Sequence, residues 1–213
     1  MKNIVIIGAG DFGKEVAWLI DGINGVVPTY NILGFLDDNA NKEGATINGI
    51  KCLGPIRLLS RLTKTDDVCA VIAIQHGQVR KAIVESLPSF SRWETLIHPS
   101  ANISNLAKIG AGCIICAGCN ISVNVTISDQ VLMNLSVTIG HDCSIGNYAS
   151  MMSGVVVSGH VVLKEAAYLA SNCTIVPGMK IGANAKVGAG SVVIRNVREG
   201  TTVMGVPAKL LRV

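Results

Sequence analysis

Residues 134–146 read NLSVTIGHDCSIG, and Ile139 and Ile145 stand in that stretch six positions apart. Counting outward by six meets Met133, Ile127, Ile121, Ile115, Ile109, Ile103 and Ile97 on one side. On the other it meets Met151, Val157, Leu163, Leu169, Ile175, Ile181, Val187 and Val193. All seventeen positions are aliphatic or Met, with no slip of phase over 97 residues. A period of six is neither the 3.6 of a helix nor the alternation of a simple strand. It fits a short strand plus a corner, repeated, and a repeat of this kind decides the architecture before any single element does. Three units would close a triangular coil. Coils stacked at the strand spacing of ~4.8 Å would form a prism roughly 27 Å tall.

The position four after each aliphatic is restricted too. It runs from Ala107 through Cys113, Cys119, Val125 and Val131 to Ala185 and Ser191, nearly all small or β-branched. Such residues fit a second inward site in a narrow prism. Cys113, Cys116 and Cys119 form a C-x2-C-x2-C run, a spacing also seen in metal and iron–sulfur sites. Here the run is the repeat showing through. Cys116 follows its aliphatic directly, where Gly110, Gly140, Gly146, Gly182 and Gly188 also sit. Buried thiols in a reducing compartment are expected, and no metal.

Aromatic residues make up only 4% of the chain, which suits a core built from thin, repeated layers. No apolar run approaches the ~20 residues of a membrane span. The apolar start of the chain gives way at Gly10 to Asp11, Lys14 and Glu15, so it reads as a first strand of a cytoplasmic protein rather than a signal segment. Residues 1–96 carry ten basic and ten acidic side chains, residues 97–213 eight and four, so the whole net charge of +4 lies in the second part. That excess is too small and scattered for nucleic acid. It suits a small polyanionic ligand.

Residues 1–96 read as a separate small α/β domain ahead of the prism at 97–213. A strand at 4–7 leads into Gly8-Ala9-Gly10-Asp11-Phe12-Gly13, after which Val16, Leu19 and Ile20 recur at helical spacing. A second strand at 32–36 ends in Asp37-Asp38. A third covers 69–74, a helix covers about 78–87, and residues 93–97 enter the prism. A G-x-G-x-x-G turn between strand and helix lets backbone N–H groups approach a pyrophosphate at the helix N-terminus. Three or four strands make one half of a dinucleotide fold, so a single nucleotide is expected rather than NAD. Asp37 and Asp38 could meet a ribose or base edge, or could form an ordinary solvated turn.

The unbroken hexads resemble the hexapeptide-repeat pattern of left-handed parallel β-helices, and the ending TTVMGVPAKLLRV resembles the G-x-P-A-K close of that family. A Rossmann-like half domain followed by such a prism resembles one subgroup along essentially the whole chain. It contains the sialic acid O-acetyltransferase-like proteins and the UDP-4-amino-sugar N-acetyltransferases of bacillosamine and perosamine pathways. The resemblance implies acetyl-CoA as co-substrate, held beside the helix between subunits of a homotrimer. It implies that Gly10, Asp11, Phe12, Gly13, Asp37, Asp38 and Gln75 hold the nucleotide sugar. It assigns acetyl-CoA contacts to Ser171 and Ala189, in one column with Ser153, and CoA phosphates to Lys209 or Arg212. Ser150 stands nine places after His141, where several relatives have a second histidine near the acetyl group.

The catalytic residue of that subgroup is a histidine followed by an acid, which matches His141-Asp142 in Ile139-Gly140-His141-Asp142-Cys143. Ile139 should point inward and the pair outward from a corner. A neighbouring carboxylate can fix the tautomer of an imidazole that takes the proton of the attacking amine or hydroxyl. Gly159 lies eighteen residues on, and its N–H is expected to meet the thioester oxygen. Asn134 is a candidate for bonding the substrate amine or the histidine, and His160 is expected to stack over Asp142. The favoured expectation is an acetyl-CoA-dependent N-acetyltransferase acting on a UDP-type 4-amino-4,6-dideoxy sugar. Alternatives are O-acetylation of sialic acid or another surface-polysaccharide sugar, and a non-enzymatic trimeric binding or scaffold protein. A three-histidine zinc site would need a third outward histidine that the spacing does not supply.

Overall fold

A computed structural model describes residues 1–65 and 67–211 of the chain. The N-terminal part runs β1 (Lys2–Ile7), α1 (Asp11–Val26), β2 (Tyr30–Leu36), β3 (Thr46–Ile47), β4 (Ile50–Gly54), α2 (Leu59–Thr65), β5 (Val68–Ile72) and α3 (Gly77–Ser86). These strands form one sheet in the order β3-β4-β2-β1-β5, parallel except for β3. The interior strand β1 is apolar on both sides because both faces are covered. Ile4 and Ile6 pack with Val16 and Ile20 of α1, while Val5 and Ile7 pack with Leu36, Leu59 and Ile83.

The three strands read from the sequence are β1, β2 and β5, adjacent in the sheet, with β5 at its edge. The β3–β4 hairpin was not anticipated, although its signal is there. Asn48 and Gly49 take φ of 47° and 82°, the double left-handed turn that favours Asn-Gly in two-residue hairpins.

From Leu96–Ile97 onward the chain makes a two-residue strand every six residues. Each strand pairs in parallel with the one eighteen residues on, as in Asn120↔Thr138 and Thr138↔Val156. Three ladders of eight, six and five strands form the sides of a left-handed parallel β-helix. The hexad aliphatics from Ile115 to Val193 and the small residues four places after them fill its interior. Ile97, in the open first coil, is 36% exposed.

One corner position escaped the sequence reading. Fourteen residues at six-residue intervals, Gly112 to Gly190, have φ between 52° and 77°. Ten of them are Gly, Asn, Asp or His, the types that best tolerate a left-handed backbone. Asp142 and His160 both belong to this series.

The three clustered thiols divide between two cores. Cys113 and Cys119 lie inside the prism, whereas Cys116 faces α1 with Leu96, Ile114, Leu132 and Met152. Burial pushes Cys113 and Cys119 up to about 11 and Cys116 to about 12, so all three are protonated apolar fillers.

The two parts are joined along the eight-stranded ladder. Its outward residues Leu96, Ile114, Leu132 and Ser150 are buried beneath the N-terminal domain. Arg80 of α3 is 1% exposed at this joint. Its guanidinium donates to the carbonyls of Ile74 and Gln75 in its own domain and of Gln130, Tyr148 and Ala149 in the prism, and to Ser150 Oγ. Among the described residues no helix is long and apolar enough to cross a membrane.

Candidate active site

His141 and Asp142 sit at the corner that follows the strand Thr138–Ile139. Ile139 is 1% exposed and anchors that strand inward, so the next residues turn out toward solvent. His141 Nδ1 lies 2.8 Å from Asp142 Oδ2, and Asn124 Nδ2 donates to Asp142 Oδ1 at 3.0 Å. The hydrogen bonds from His141 and Asn124 hold the Asp142 carboxyl below the usual carboxylate range. An ionised carboxylate can only accept, so Nδ1 of a neutral His141 must carry the proton. That leaves the lone pair on Nε2, the nitrogen a general base would use.

Gly159 covers the other side of the ring. A Cβ there would stand 2.6 Å from both Cε1 and Nε2 of His141, so only glycine lets the imidazole lie where it does. A Cβ at residue 140 would in turn stand 2.6 Å from the Gly159 nitrogen. Gly159 is buried beneath the ring, and the lack of a side chain at 140 and 159 leaves its N–H uncrowded. Among the described residues it has no hydrogen-bond partner. A base nitrogen and an unpaired backbone donor thus lie side by side.

His160 completes the cluster, its Nε2 3.9 Å from Asp142 Oδ2 and its ring edge-on to that of His141. Donor atoms of His141, Asp142 and His160 fall within 4.8 Å of one another. The bond from Nδ1 to Oδ2 already uses two of them, which suits proton handling.

The glycine turn lies at the tip of β1. Gly8 N donates to Leu36 O, and Gly13 comes so close beneath that a Cβ on it would stand 2.1 Å from Gly8 O. Gly10 precedes α1 in extended backbone and no side chain caps the helix. Asp11 is exposed and pairs with Lys14 at 2.9 Å. Phe12 differs from expectation: it is 7% exposed and packs in the core against β1, so its side chain cannot reach a ligand.

Asp37 Oδ2 accepts from Ala9 N and from Lys42 Nζ, each at 2.8 Å, and Oδ1 accepts from Asn39 N. Burial raises its pKa, but the bonds from Lys42, Asn39 and Ala9 outweigh this and hold the carboxyl below its ordinary value. Asp37 thus braces the glycine turn. Asp38 is exposed and accepts from Ile56 N.

Ser150 also differs from expectation. It is 1% exposed in the domain joint, where its hydroxyl donates to Gln75 O at 2.6 Å and accepts from Arg80. No face is left for a cofactor. The Gln75 carbonyl is taken up in the same network, and its side chain is half-buried. Asn134 is 6% exposed, and its Oδ1 accepts from Leu135 N at 2.6 Å. Eighteen-residue stacking puts it between Cys116 and Met152, at the corner that faces α1. That is not the corner of His141.

Ser153, Ser171 and Ala189 stack along this second corner, and Lys209 stands exposed on the last strand of the same ladder. Arg212 lies outside the described residues. One side of the prism, on the order of 15–20 Å at ~3.3 Å per residue, separates the column from His141. Within one chain the two do not meet. Sequence reasoning missed Asn124, Lys42 and Arg80. The first sits at a left-handed corner eighteen residues before Asp142, a relation visible once the coil length is known.

Residues 3–87 match the model of the PglD N-terminal domain. UDP-N-acetylbacillosamine N-acetyltransferase of Bacillus subtilis (strain 168) is 34% identical over 119 residues, 54% of this chain and 51% of that protein. The match thus spans about half the length of that curated relative. PerB from Caulobacter crescentus, solved with CoA and GDP-perosamine, superposes with a TM-score of 0.89 at 27% identity, covering 100% of this chain and 98% of the other. The acetyltransferase domain of PglB from Neisseria gonorrhoeae FA1090, solved with acetyl coenzyme A, superposes with a TM-score of 0.89 at 27% identity, covering 99% of each.

Proposed function

We propose, from a chain that groups with the PglD-type sugar acetyltransferases in its N-terminal domain and in its whole fold, that it transfers acetyl from acetyl-CoA to a nucleotide-linked amine. The acceptor in this reading is a UDP-type 4-amino-4,6-dideoxy sugar. The nucleotide lies at the Gly10–Gly13 turn, with its pyrophosphate toward the uncapped start of α1. The observation that carries the reading is the exposed His141 side chain, its Nδ1 tied to Asp142, beside the unpaired N–H of Gly159.

The neutral amine attacks the thioester carbon as Nε2 of His141 takes the amine proton. Asp142 stabilises the imidazolium through Nδ1. The carbonyl oxygen becomes an oxyanion that accepts from Gly159 N–H. Collapse breaks the C–S bond, and the imidazolium returns its proton to the leaving thiolate. Amide and CoA thiol leave, and the enzyme is unchanged.

The acetyl-CoA column at Ser153, Ser171 and Ala189 and the base at His141 occupy different corners of one prism. A cytoplasmic homotrimer with its threefold axis parallel to the prisms brings them together. Such an axis keeps equal levels level, so His141 of one copy faces the column corner of the next.

Calorimetry with acetyl-CoA, UDP, GDP, CMP and NAD tests the reading. Binding of acetyl-CoA and UDP is expected. Binding of acetyl-CoA with no nucleotide affinity would move the acceptor to a free sugar.

A further inference from the structure

Asp142 has neighbours on three successive coils. Asn124, one coil before, donates to Oδ1 at 3.0 Å. His141, on its own coil, meets Oδ2 at 2.8 Å. His160, one coil after, points Nε2 at the same Oδ2 from 3.9 Å. The stacking follows from the backbone: Asn124, Asp142 and His160 are every third member of the left-handed corner series, one coil of eighteen residues apart, with φ of 58°, 58° and 60°. The two imidazoles meet edge to face, with centroids 4.9 Å apart and planes at 88°.

We propose that His160 is a positioning residue for the His141–Asp142 pair, so that two imidazoles share one carboxylate and the charge on His160 governs protonation of His141. This deepens the acetyl-transfer reading and rests on it.

At 3.9 Å a neutral His160 makes no hydrogen bond to Asp142. It acts as a wall against which the His141 ring is set, opposite Gly159. A protonated His160 is drawn toward the carboxylate, and its charge then opposes a second proton on the ring 4.9 Å away. The charges of the two rings are therefore coupled. A first proton need not silence the base, because His160 can hold it. Among the described residues the charged groups that act on Asp142 are these two histidines, and His160 faces His141 and Asp142.

The His160→Asn variant tests this. Asn already occupies the same series at 124, 172 and 184, so the corner keeps its conformation while the titrating ring is removed. The Cε1–H resonances of the four histidines are followed by NMR against pH in wild type and H160N, with H141A for assignment. The pH profile of kcat/KM is measured alongside. The expected wild-type curve for His141 is broad and two-stepped. In H160N it becomes a single step at higher pH, and the acid limb of kcat/KM rises with it by about half a pH unit or more. The plateau should fall less than ~10-fold, since the base remains. A His141 curve of the same shape and midpoint in both proteins would overturn the proposal. A two-step curve without amino-sugar turnover would sustain the coupling and refute the acetyl-transfer reading.

Discussion

Gly159 lies one coil beyond His141 and directly against its ring: a Cβ on residue 159 would stand 2.6 Å from Cε1 and from Nε2. The contact ties the proposed oxyanion donor to the proposed base, because moving either displaces the other. Gly159→Ala needs no unusual φ, so its effect comes from the contact alone. The expected result is a fall in kcat of ~10²-fold or more, the scale for losing one oxyanion donor. Acetyl-CoA affinity and melting temperature should barely change. Steady-state kinetics and calorimetry on the same preparation separate these.

Asp142→Asn keeps a residue suited to a φ of 58° but removes the charge that fixes Nδ1–H. An Asn can present either oxygen or nitrogen to the ring, so part of the population holds the wrong tautomer. Turnover should drop, yet less than in His141→Ala. Because His141 and Asn124 hold the Asp142 carboxyl below its usual range, it stays ionised through mildly acidic pH. Activity lost on acidification between pH 7 and pH 5 should therefore follow imidazole protonation, and the acid limb should persist in D142N.

Asp37 should matter for the nucleotide rather than for acetyl-CoA. Asp37→Asn weakens the Lys42 pair and the Ala9 N–H bond that brace the glycine turn. KM for the nucleotide sugar should rise several-fold, with KM for acetyl-CoA unchanged. The pH sign follows from the depressed pKa: this contribution is fully present above the unfolded value of about 3.9 and fades as pH falls through the lower folded value. Loosening of the turn, followed by nucleotide binding, should thus begin only below about pH 4.

Arg80 joins the two domains without a carboxylate partner among the described residues. Burial draws its pKa down to about 10, so it is charged at neutral pH and balanced by carbonyl dipoles. Replacement by Met removes the donors and leaves the carbonyls of Gln130 and Tyr148 without partners among the described residues, while Ala149 O keeps only the Leu132 N–H. The expected cost is ~3 kcal/mol, by the scale of unpaired buried polar groups. Urea unfolding of R80M should show a lower midpoint, and the domain joint should gain protease sensitivity. An unchanged midpoint would mean the joint is held by the apolar patch around Leu96, Ile114 and Leu132 alone.

The separation of His141 from the Ser171 corner makes a complementation test possible. His141→Ala and Ser171→Trp should each be inactive, the second by blocking the column. Trimers reassembled from a mixture should regain activity at about a quarter of sites, where the intact histidine of one copy meets the intact corner of the next. If both groups served from one chain, mixing would restore nothing.

The hexads made the prism legible, because an aliphatic at every sixth place admits no other burial pattern. His141-Asp142 was legible as an outward pair because two residues past an inward Ile139 must turn the corner. Phe12 and Ser150 are buried for a common reason. Their neighbours in sequence face ligand space, but each side chain is claimed by a surface the local pattern does not reveal, β1 for Phe12 and α3 for Ser150. Arg80 was invisible in the same way: its partners across the joint are backbone carbonyls fifty or more positions away, which no spacing rule marks. Asn134 sits on the α1 corner because the phase of its own coil, not its closeness to His141 in sequence, decides where it points.

The most direct test is turnover of a UDP-4-amino-4,6-dideoxy sugar with acetyl-CoA by wild type and His141→Ala, followed as release of CoA thiol. Removal of a general base should lower kcat by at least ~10²-fold, with the dissociation constant for acetyl-CoA unchanged. Equal turnover in the two proteins would contradict the account, since an exposed histidine with its Nδ1 tied to Asp142 would then have no part in the chemistry.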